Sequence, residues 1–223
     1  MCNISKYEKW AKENNKFLIF DNAACPYSFY NNKNCVNFGN GSIISFHHTK
    51  LLGYGEGGAI IVDKKYEKII RELINFTIGL HNFDNNGNNF KMSDINACYI
   101  IDHLKNLDYI IDNNKKLYKY FLESIKNLNH IKLFPKYYQD DNILIGLIPL
   151  IFGNEKMSEF YQKVLNENNI FSKKYYKPLD NSPKSNNLYK KILCIPLHYD
   201  LNFEDINKMI NILKINNVDN ELC

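Results

Sequence analysis

Three side chains early in the chain, Asp21, Ser45 and Lys50, have types and positions that could serve a cofactor. Asp21 follows the apolar run 17–20, at the carboxyl end of a predicted buried strand, where open α/β sheets bind their ligands. Ser45 lies near the end of the next predicted strand, and Lys50 follows five residues later. A lysine can form a Schiff base with an aldehyde cofactor, and a buried carboxylate can keep a pyridinium nitrogen protonated. By spacing alone, a surface lysine, a turn-capping aspartate and an ordinary serine are the favoured explanation of the same residues.

Two other motifs could carry chemistry, and their context argues against both. Residues 53–58 satisfy the pattern G-x-G-x-x-G, but residues 59–62 read as a strand, whereas a dinucleotide fingerprint must open a helix. We therefore predict a flexible turn there. His47 and His48 are adjacent, and neighbouring residues on a strand point to opposite faces. We predict no metal site, and we expect one of the two histidines to lie against a ligand.

The cysteines are scattered, with no CxxC pair and no Cys/His cluster at zinc spacing. In a chain without a recognisable signal peptide they are most simply reduced thiols. Cys98 and Cys194 sit in apolar segments, so we predict that both are core residues.

Short apolar runs alternate with amphipathic segments along the first part of the chain, which predicts an α/β fold there. The second part reads as a smaller α+β unit, with a boundary near Asn106. Ser93 is a predicted helix N-cap. The predicted strands span residues 17–20, 42–46, 59–62, 131–134 and 143–152. The predicted helices span residues 4–15, 66–76, 93–104, 107–128, 157–166 and 204–213, with a loop at 175–187.

Composition excludes several functional classes. The chain has 223 residues, of which 45% are hydrophobic and 14% aromatic, which is too much apolar surface for overall disorder. No apolar run approaches the ~20 residues of a membrane helix, and the start lacks a signal peptide, so we expect a cytoplasmic protein without a membrane partner. The net charge of +4 comes with a single arginine, Arg71, which disfavours nucleic acid as a partner.

Four motifs occur in the order seen in one enzyme family. They are Phe20-Asp21-Asn22-Ala23-Ala24, Ser45-Phe46-His47-His48-Thr49-Lys50, Gly55-Glu56-Gly57-Gly58-Ala59, and the run from Gly87 to Ala97. With this order and spacing, the chain resembles the DegT/DnrJ/EryC1/StrS sugar aminotransferases, and the similarity extends through residues 175–179 and 195–199. The resemblance implies part of a fold-type I pyridoxal-phosphate transferase. Residues 1–105 would then be the C-terminal portion of the cofactor-binding large domain, and residues 106–223 the small domain.

The resemblance also implies roles for single residues. Lys50 matches the Schiff-base lysine, Asp21 the carboxylate paired with the pyridine nitrogen, and Ser45 the hydroxyl that binds the cofactor phosphate. Asn89 matches an asparagine that reaches the phosphate of the neighbouring subunit, which implies a homodimer. Lys91 falls where many relatives carry an arginine near the substrate.

The ligand-facing histidine expected from the sequence is His47, which we assign to substrate binding together with Lys91. Ala24 departs from the family pattern, because many relatives carry Gln or His there and make one further contact to the cofactor.

By resemblance, the chain is an aminotransferase that uses pyridoxal 5'-phosphate, acts on a nucleotide-linked keto-sugar and takes its amino group from glutamate. Some relatives carry histidine in place of the lysine and act as dehydratases, and Lys50 argues against that branch. The family has a large segment before the Asp21 strand, so we expect pairing with a separately encoded N-terminal part and an exposed sheet edge. The alternative is a truncated, non-catalytic remnant or a partner subunit of a full-length relative.

Overall fold

The computed structural model describes residues 2–78, 87–133 and 143–215, which divide into two compact units. The first unit contains residues 2–107 with 143 and 144, and the second contains residues 108–133 and 145–215. Each unit has its own three-stranded sheet. Phe134, at the end of a predicted strand, lies outside the described residues.

The described residues of the first unit form three α-helices, two short 3-10 helices and two small sheets. Its main sheet has the order β1-β4-β5, and a two-stranded hairpin lies in the connection between β1 and β4. Its elements are α1 (Ile4–Glu13), β1 (Ile19–Asp21), β2 (Phe29–Tyr30), β3 (Lys33–Asn34), β4 (Gly41–Ser45), β5 (Gly58–Val62), α2 (Glu67–Leu73) and α3 (Asp94–Leu104). Ser93 caps α3 as predicted, because its side chain accepts a hydrogen bond from the Asn96 N–H.

One face of the main sheet is open to solvent. Strand β1 pairs in parallel with β4, and β4 pairs antiparallel with β5, so Ile43 lies between Asp21 and Ile60. Ile19, Ile43 and Ile60 share this face and are 47%, 38% and 43% exposed. The prediction of a buried strand over 17–20 is therefore wrong for burial, although the strand itself exists. Within the described residues β1 is an edge strand, and its outward face lacks a packing partner.

The second unit is built around an antiparallel sheet of order β6-β7-β8. Its elements are α4 (Leu107–Ile125), β6 (Ile131–Leu133), β7 (Leu147–Phe152), α5 (Glu155–Glu167), α6 (Pro183–Lys191), β8 (Ile192–Pro196) and α7 (Phe203–Leu213). Large side chains from helices and strands fill its core, and those of Phe121, Leu150 and Leu165 are fully buried.

Two of its elements differ from the sequence-based expectation. The predicted loop over 175–187 runs only to Ser182, because helix α6 begins at Pro183. Proline suits the first turn of a helix, since its ring fixes φ near the helical value. Strand β8 was not predicted, although it pairs with β7 over five residues. Helix α6 lies in a stretch where polar Lys and Asn residues weaken the hydrophobic periodicity, whereas β8 is a short continuous apolar run without alternation.

The cysteines of the described residues are free thiols with very different exposure. Cys194 is buried, as predicted, but Cys98 is exposed on the outer side of α3, so that prediction is wrong. An apolar sequence neighbourhood does not decide which helix face a residue occupies, because only packing fixes that.

Burial should make the cysteines react at very different rates. Burial raises the pKa of the Cys35 thiol to about 11, so at pH 8 roughly one Cys35 side chain in a thousand is the reactive thiolate. We expect iodoacetamide to alkylate Cys98 readily at pH 8 and Cys35 only after denaturation, as measured by peptide mass spectrometry. Equal alkylation rates in the folded protein would contradict this burial.

Candidate active site

Asp21 and Ser45 lie on the same face of the first sheet and at the same end of it, where the carboxyl ends of β1 and β4 lie. Strands β1 and β4 are parallel, so their carboxyl ends meet there, and Asp21 lies opposite Ile43, two residues before Ser45. With a strand spacing of about 4.8 Å and a rise of about 3.3 Å per residue, the two Cα atoms are roughly 8 Å apart. Both side chains can therefore reach one small ligand at the edge where open α/β sheets bind them.

Asn22 fixes the position of Asp21. Its side chain is buried and donates a hydrogen bond from Nδ2 to Ser42 Oγ (2.6 Å), while its N–H donates to the Ile43 carbonyl (3.0 Å). Asp21 Oδ1 accepts from the Ala23 N–H at 2.9 Å. No other hydrogen bond or ion pair joins the Asp21 carboxylate to any residue that the structure describes. The sequence analysis gave Asn22 no role, although it follows Asp21 in the first of the four motifs.

Residues 46–57, between β4 and β5, form a compact turn beyond the sheet edge, which we call the 46–57 turn. Its two arms are joined by hydrogen bonds from the Phe46 N–H to the Gly57 carbonyl (2.9 Å) and from the His48 N–H to the Gly55 carbonyl (2.8 Å). The Tyr54 N–H donates back to the Phe46 carbonyl at 3.0 Å. These bonds make the turn a continuation of the β4–β5 pairing.

Lys50 lies in this turn. Its N–H donates to the His47 carbonyl and its own carbonyl accepts from the Gly53 N–H, each at 2.8 Å. The next two residues, Leu51 and Leu52, are buried and anchor the turn. Lys50 Nζ has no hydrogen bond or ion pair with any described residue, so the amine is available for chemistry.

Replacing Gly53 by alanine should disrupt the turn that carries Lys50. A Cβ at this position would lie 1.8 Å from the His47 carbonyl oxygen and 3.0 Å from that of Lys50, and neither backbone atom can move without opening the turn. We expect a cost of about 2 kcal/mol or more in the free energy of unfolding, measured by urea denaturation.

Gly153→Ala is the matched control for Gly53→Ala, because its added Cβ meets Met157 Sδ at 3.4 Å, near ordinary contact. Equal stability of the two variants would argue against this structure of the turn.

Ser45 and His47 are linked through the backbone at the start of the turn. Ser45 Oγ accepts from the His47 N–H at 3.3 Å, which leaves the hydroxyl proton free to bind a ligand. His47 Nδ1 lies 2.7 Å from Thr49 Oγ1, and its Nε2 lies 3.4 Å from Glu56 Oε1. The sequence did not indicate a role for Glu56, which lies in the glycine-rich motif.

The two adjacent histidines do not point to opposite faces. The ring centroids of His47 and His48 are 4.1 Å apart, with 37° between the ring planes. The alternation rule fails here because β4 ends at Ser45, so both residues belong to the turn and not to a strand. The glycine-rich motif leads into strand β5, as predicted, which excludes a dinucleotide fingerprint.

Asn89 and Lys91 are not hydrogen-bonded to Asp21, Ser45 or Lys50 in the part of the chain that the structure describes. Asn89 forms a backbone bridge with Asn75. Lys91 Nζ donates a hydrogen bond to Asn75 Oδ1. The structure thus brings Asp21, Ser45, His47 and Lys50 to one sheet end. The roles of these four residues, like those of Asn89 and Lys91, stay predictions.

The segment that follows Lys91 does contact the 46–57 turn. Asn96 Nδ2 donates to the Glu56 carbonyl at 3.1 Å. Met92 packs so closely on Gly57 that a Cβ there would lie 2.2 Å from its sulfur. The start of α3 therefore supports the turn.

None of the described helices is long and apolar enough to cross a bilayer.

Comparison with known proteins identifies the family. Residues 1–214 match the DegT/DnrJ/EryC1/StrS aminotransferase family. The chain is 28% identical over 241 aligned positions to a dTDP-4-amino-4,6-dideoxy-D-glucose transaminase of Escherichia coli, covering 95% of this chain and 62% of the relative. It is 24% identical to a UDP-4-amino-4,6-dideoxy-N-acetyl-beta-L-altrosamine transaminase of Campylobacter jejuni, covering 87% of this chain and 57% of the relative. The chain thus spans less than two thirds of the length of these relatives.

Solved structures show the same fold. A DegT DnrJ EryC1 StrS aminotransferase from Brucella abortus superposes with a TM-score of 0.79 at 23% identity, over 96% of this chain and 60% of that one. DesV of S. venezuelae, solved with a ketimine intermediate, gives a TM-score of 0.81 at 17% identity, over 96% and 61%. The fold is therefore part of the fold-type I aminotransferase fold, and the chain belongs to the DegT/DnrJ/EryC1/StrS aminotransferase family.

Proposed function

We propose that this chain carries the lysine-bearing part of an aminotransferase site that uses pyridoxal 5'-phosphate, takes an amino group from glutamate and delivers it to a nucleotide-linked keto-sugar. The observation that carries the proposal is that Asp21 and Ser45 lie at the carboxyl ends of two paired parallel strands. Lys50 lies in the turn directly beyond this end of the sheet. Two relatives named as transaminases of dTDP- and UDP-linked amino sugars support the substrate class.

The residues at this edge fit the cofactor. Pyridoxal phosphate requires an amine for its aldehyde, an acid for its ring nitrogen and donors for its phosphate. Lys50 offers an amine that has no hydrogen-bond partner among the described residues. Asp21 offers a carboxylate oxygen, Oδ2, that likewise has no partner among them. Ser45 offers a hydroxyl proton, since its oxygen already accepts from the His47 N–H.

When bound, the cofactor supplies an electron sink for the carbon that loses its proton. Lys50 Nζ would hold the cofactor through its aldehyde carbon, and as a free amine it would accept the proton that leaves the α-carbon of the amino donor. Asp21 keeps the ring nitrogen protonated, and the Ser45 hydroxyl donates to the phosphate. Asn22 and the backbone bonds of the 46–57 turn hold these groups in place.

We assign substrate contacts to His47 and Lys91. His47 lies beside Ser45 at the same sheet end, and Lys91 supplies a cation at a position where many relatives carry arginine. A lysine can bind a carboxylate or phosphate as a point charge but without the bidentate geometry of arginine. Asn89 reaches the cofactor phosphate of a neighbouring subunit in this proposal, which requires a homodimer or pairing with a separately encoded segment.

The open sheet face favours a second candidate, a non-catalytic remnant or partner subunit of a full-length relative. The exposed Ile19, Ile43 and Ile60 and the edge strand β1 support a requirement for further chain on this side. If that chain also supplies essential cofactor contacts, the protein by itself binds no pyridoxal phosphate.

Reductive trapping distinguishes the two candidates. The full chain is incubated with pyridoxal phosphate, treated with borohydride and digested, and peptides bearing a pyridoxyl group are located by mass spectrometry. We expect the label predominantly on Lys50. A label spread evenly over surface lysines, or none, would refute cofactor binding by this chain and favour the second candidate.

A further inference from the structure

A second group of side chains in the 46–57 turn has the character of a metal site. The ligand atoms of His47, His48 and Glu56 all lie within 4.8 Å of one another. Among the described residues, these three form the one such group of His, Cys, Asp or Glu side chains. His48 and Glu56 have no part in the proposed transfer of the amino group, and a metal ion on His47 would take the place of the substrate contact proposed for that residue.

The distances within the group suit a transition metal. Two ligands at about 2.1 Å from a tetrahedral ion lie about 3.4 Å apart. His47 Nε2 and Glu56 Oε1 already lie 3.4 Å apart. The side chain of Glu56 is 71% exposed and can adjust its rotamer. His48 is also exposed, and rotation of its ring can close the remaining separation of at most 4.8 Å.

The second nitrogen of His47 has the partner that a metal-bound imidazole needs. When Nε2 binds a metal, Nδ1 carries the ring proton and must donate it. Thr49 Oγ1 lies 2.7 Å from Nδ1 and can accept that hydrogen bond. In the structure Nδ1 also accepts from the Thr49 N–H at 3.2 Å, so metal binding at Nε2 requires the Nδ1 proton to replace this backbone contact. The contact with Thr49 Oγ1 fixes the ring with Nε2 directed toward Glu56.

The backbone holds the ligands on opposite arms of one turn. His48 donates its N–H to the Gly55 carbonyl at 2.8 Å, directly beside Glu56. The Glu56 carbonyl in turn accepts from Asn96 Nδ2 of α3 at 3.1 Å. The ligand-bearing residues therefore keep their positions without a metal, which lowers the entropic cost of binding.

We propose that His47, His48 and Glu56 bind one divalent transition-metal ion of the Zn²⁺ class, with water in the remaining positions. Two imidazoles and one carboxylate are a ligand set that Zn²⁺ and Co²⁺ accept, whereas Mg²⁺ and Ca²⁺ prefer oxygen ligands. The ion spans the two arms of the turn and needs no other cofactor.

Cobalt binding tests the site on the full chain freed of any affinity tag. Co²⁺ is titrated into the protein, and its visible absorption gives stoichiometry and affinity. We expect one equivalent of Co²⁺, displaced by Zn²⁺, without a thiolate charge-transfer band, since no cysteine belongs to the site. His48→Ala and Glu56→Gln should each weaken binding at least about tenfold.

His198→Ala is the matched control, because His198 is an exposed histidine outside the group. The proposal would be overturned if His198→Ala weakened Co²⁺ binding as much as His48→Ala does. It would also be overturned if Co²⁺ bound through thiolates, or did not bind at millimolar concentration. The titration is done without pyridoxal phosphate, so its outcome is independent of the proposed function.

Discussion

Lys50→Ala is expected to lower the release of 2-oxoglutarate from glutamate by on the order of 10⁴-fold or more. Lys50 is the one residue proposed both to hold the cofactor and to move the proton, and its amine has no competing partner among the described residues. The measurement is the pyridoxal-phosphate-dependent rate of keto acid formation by the full chain. The same variant should lose the pyridoxyl label after borohydride reduction.

Lys116→Ala is the control for Lys50→Ala, since Lys116 is an exposed lysine on helix α4 of the other unit. It should retain the wild-type rate and label. A Lys50→Ala protein that releases 2-oxoglutarate at the wild-type rate would exclude Lys50 from the chemistry. A wild-type chain that releases none would support the non-catalytic alternative.

Asp21→Asn should lower the same rate by about 10²- to 10³-fold while leaving the label on Lys50. An amide cannot keep the ring nitrogen protonated, so the carbanionic transition state loses its stabilisation, but the amine at Lys50 still reacts with the aldehyde. A retained label on Lys50 would show that the variant keeps the structure of this end of the sheet and has lost only the electrostatic role of Asp21. The label is measured by mass spectrometry, and the rate is measured on the same protein.

A cofactor methylated at the ring nitrogen gives a sharper test of Asp21. The positive charge of this methylated cofactor is permanent, and Asp21→Ala leaves room for the methyl group. The Asp21→Ala protein with the methylated cofactor should therefore recover part of the rate that Asp21→Ala loses with pyridoxal phosphate. Asp112→Asn, an exposed carboxylate on α4, is the control and should change nothing. If Asp21→Asn abolishes the label as well as the rate, Asp21 supports the structure of the edge and not the ring nitrogen.

The sequence predicted most of the elements in the first unit because their signals are local. Helix α3 begins after the N-cap Ser93 and ends at Leu104, as its cap and spacing indicated. Strand β5 was predicted from an equally local signal, the apolar run that follows the glycine-rich motif. Strand β8 and helix α6 were missed, because a strand without alternation and a polar helix carry little periodic signal.

Burial was predicted less well than secondary structure. Cys98 was assigned to the core and is exposed, and the strand around Ile19 was expected to be buried and has an open face. Exposure depends on which elements pack against a face, and that information lies in distant parts of a chain.

The sequence by itself determined the candidate residues and their order, since Asp21 and Ser45 lie at the ends of apolar runs and, together with Lys50, stand in motifs that resemble those of one enzyme family. Only the tertiary structure decided that β1 and β4 are parallel neighbours in register, which places Asp21 and Ser45 on one face. It also brought His48 to the side of His47 and Glu56. The physical reason is that strand pairing and turn geometry depend on hydrogen bonds between residues far apart in the sequence, which no local pattern encodes.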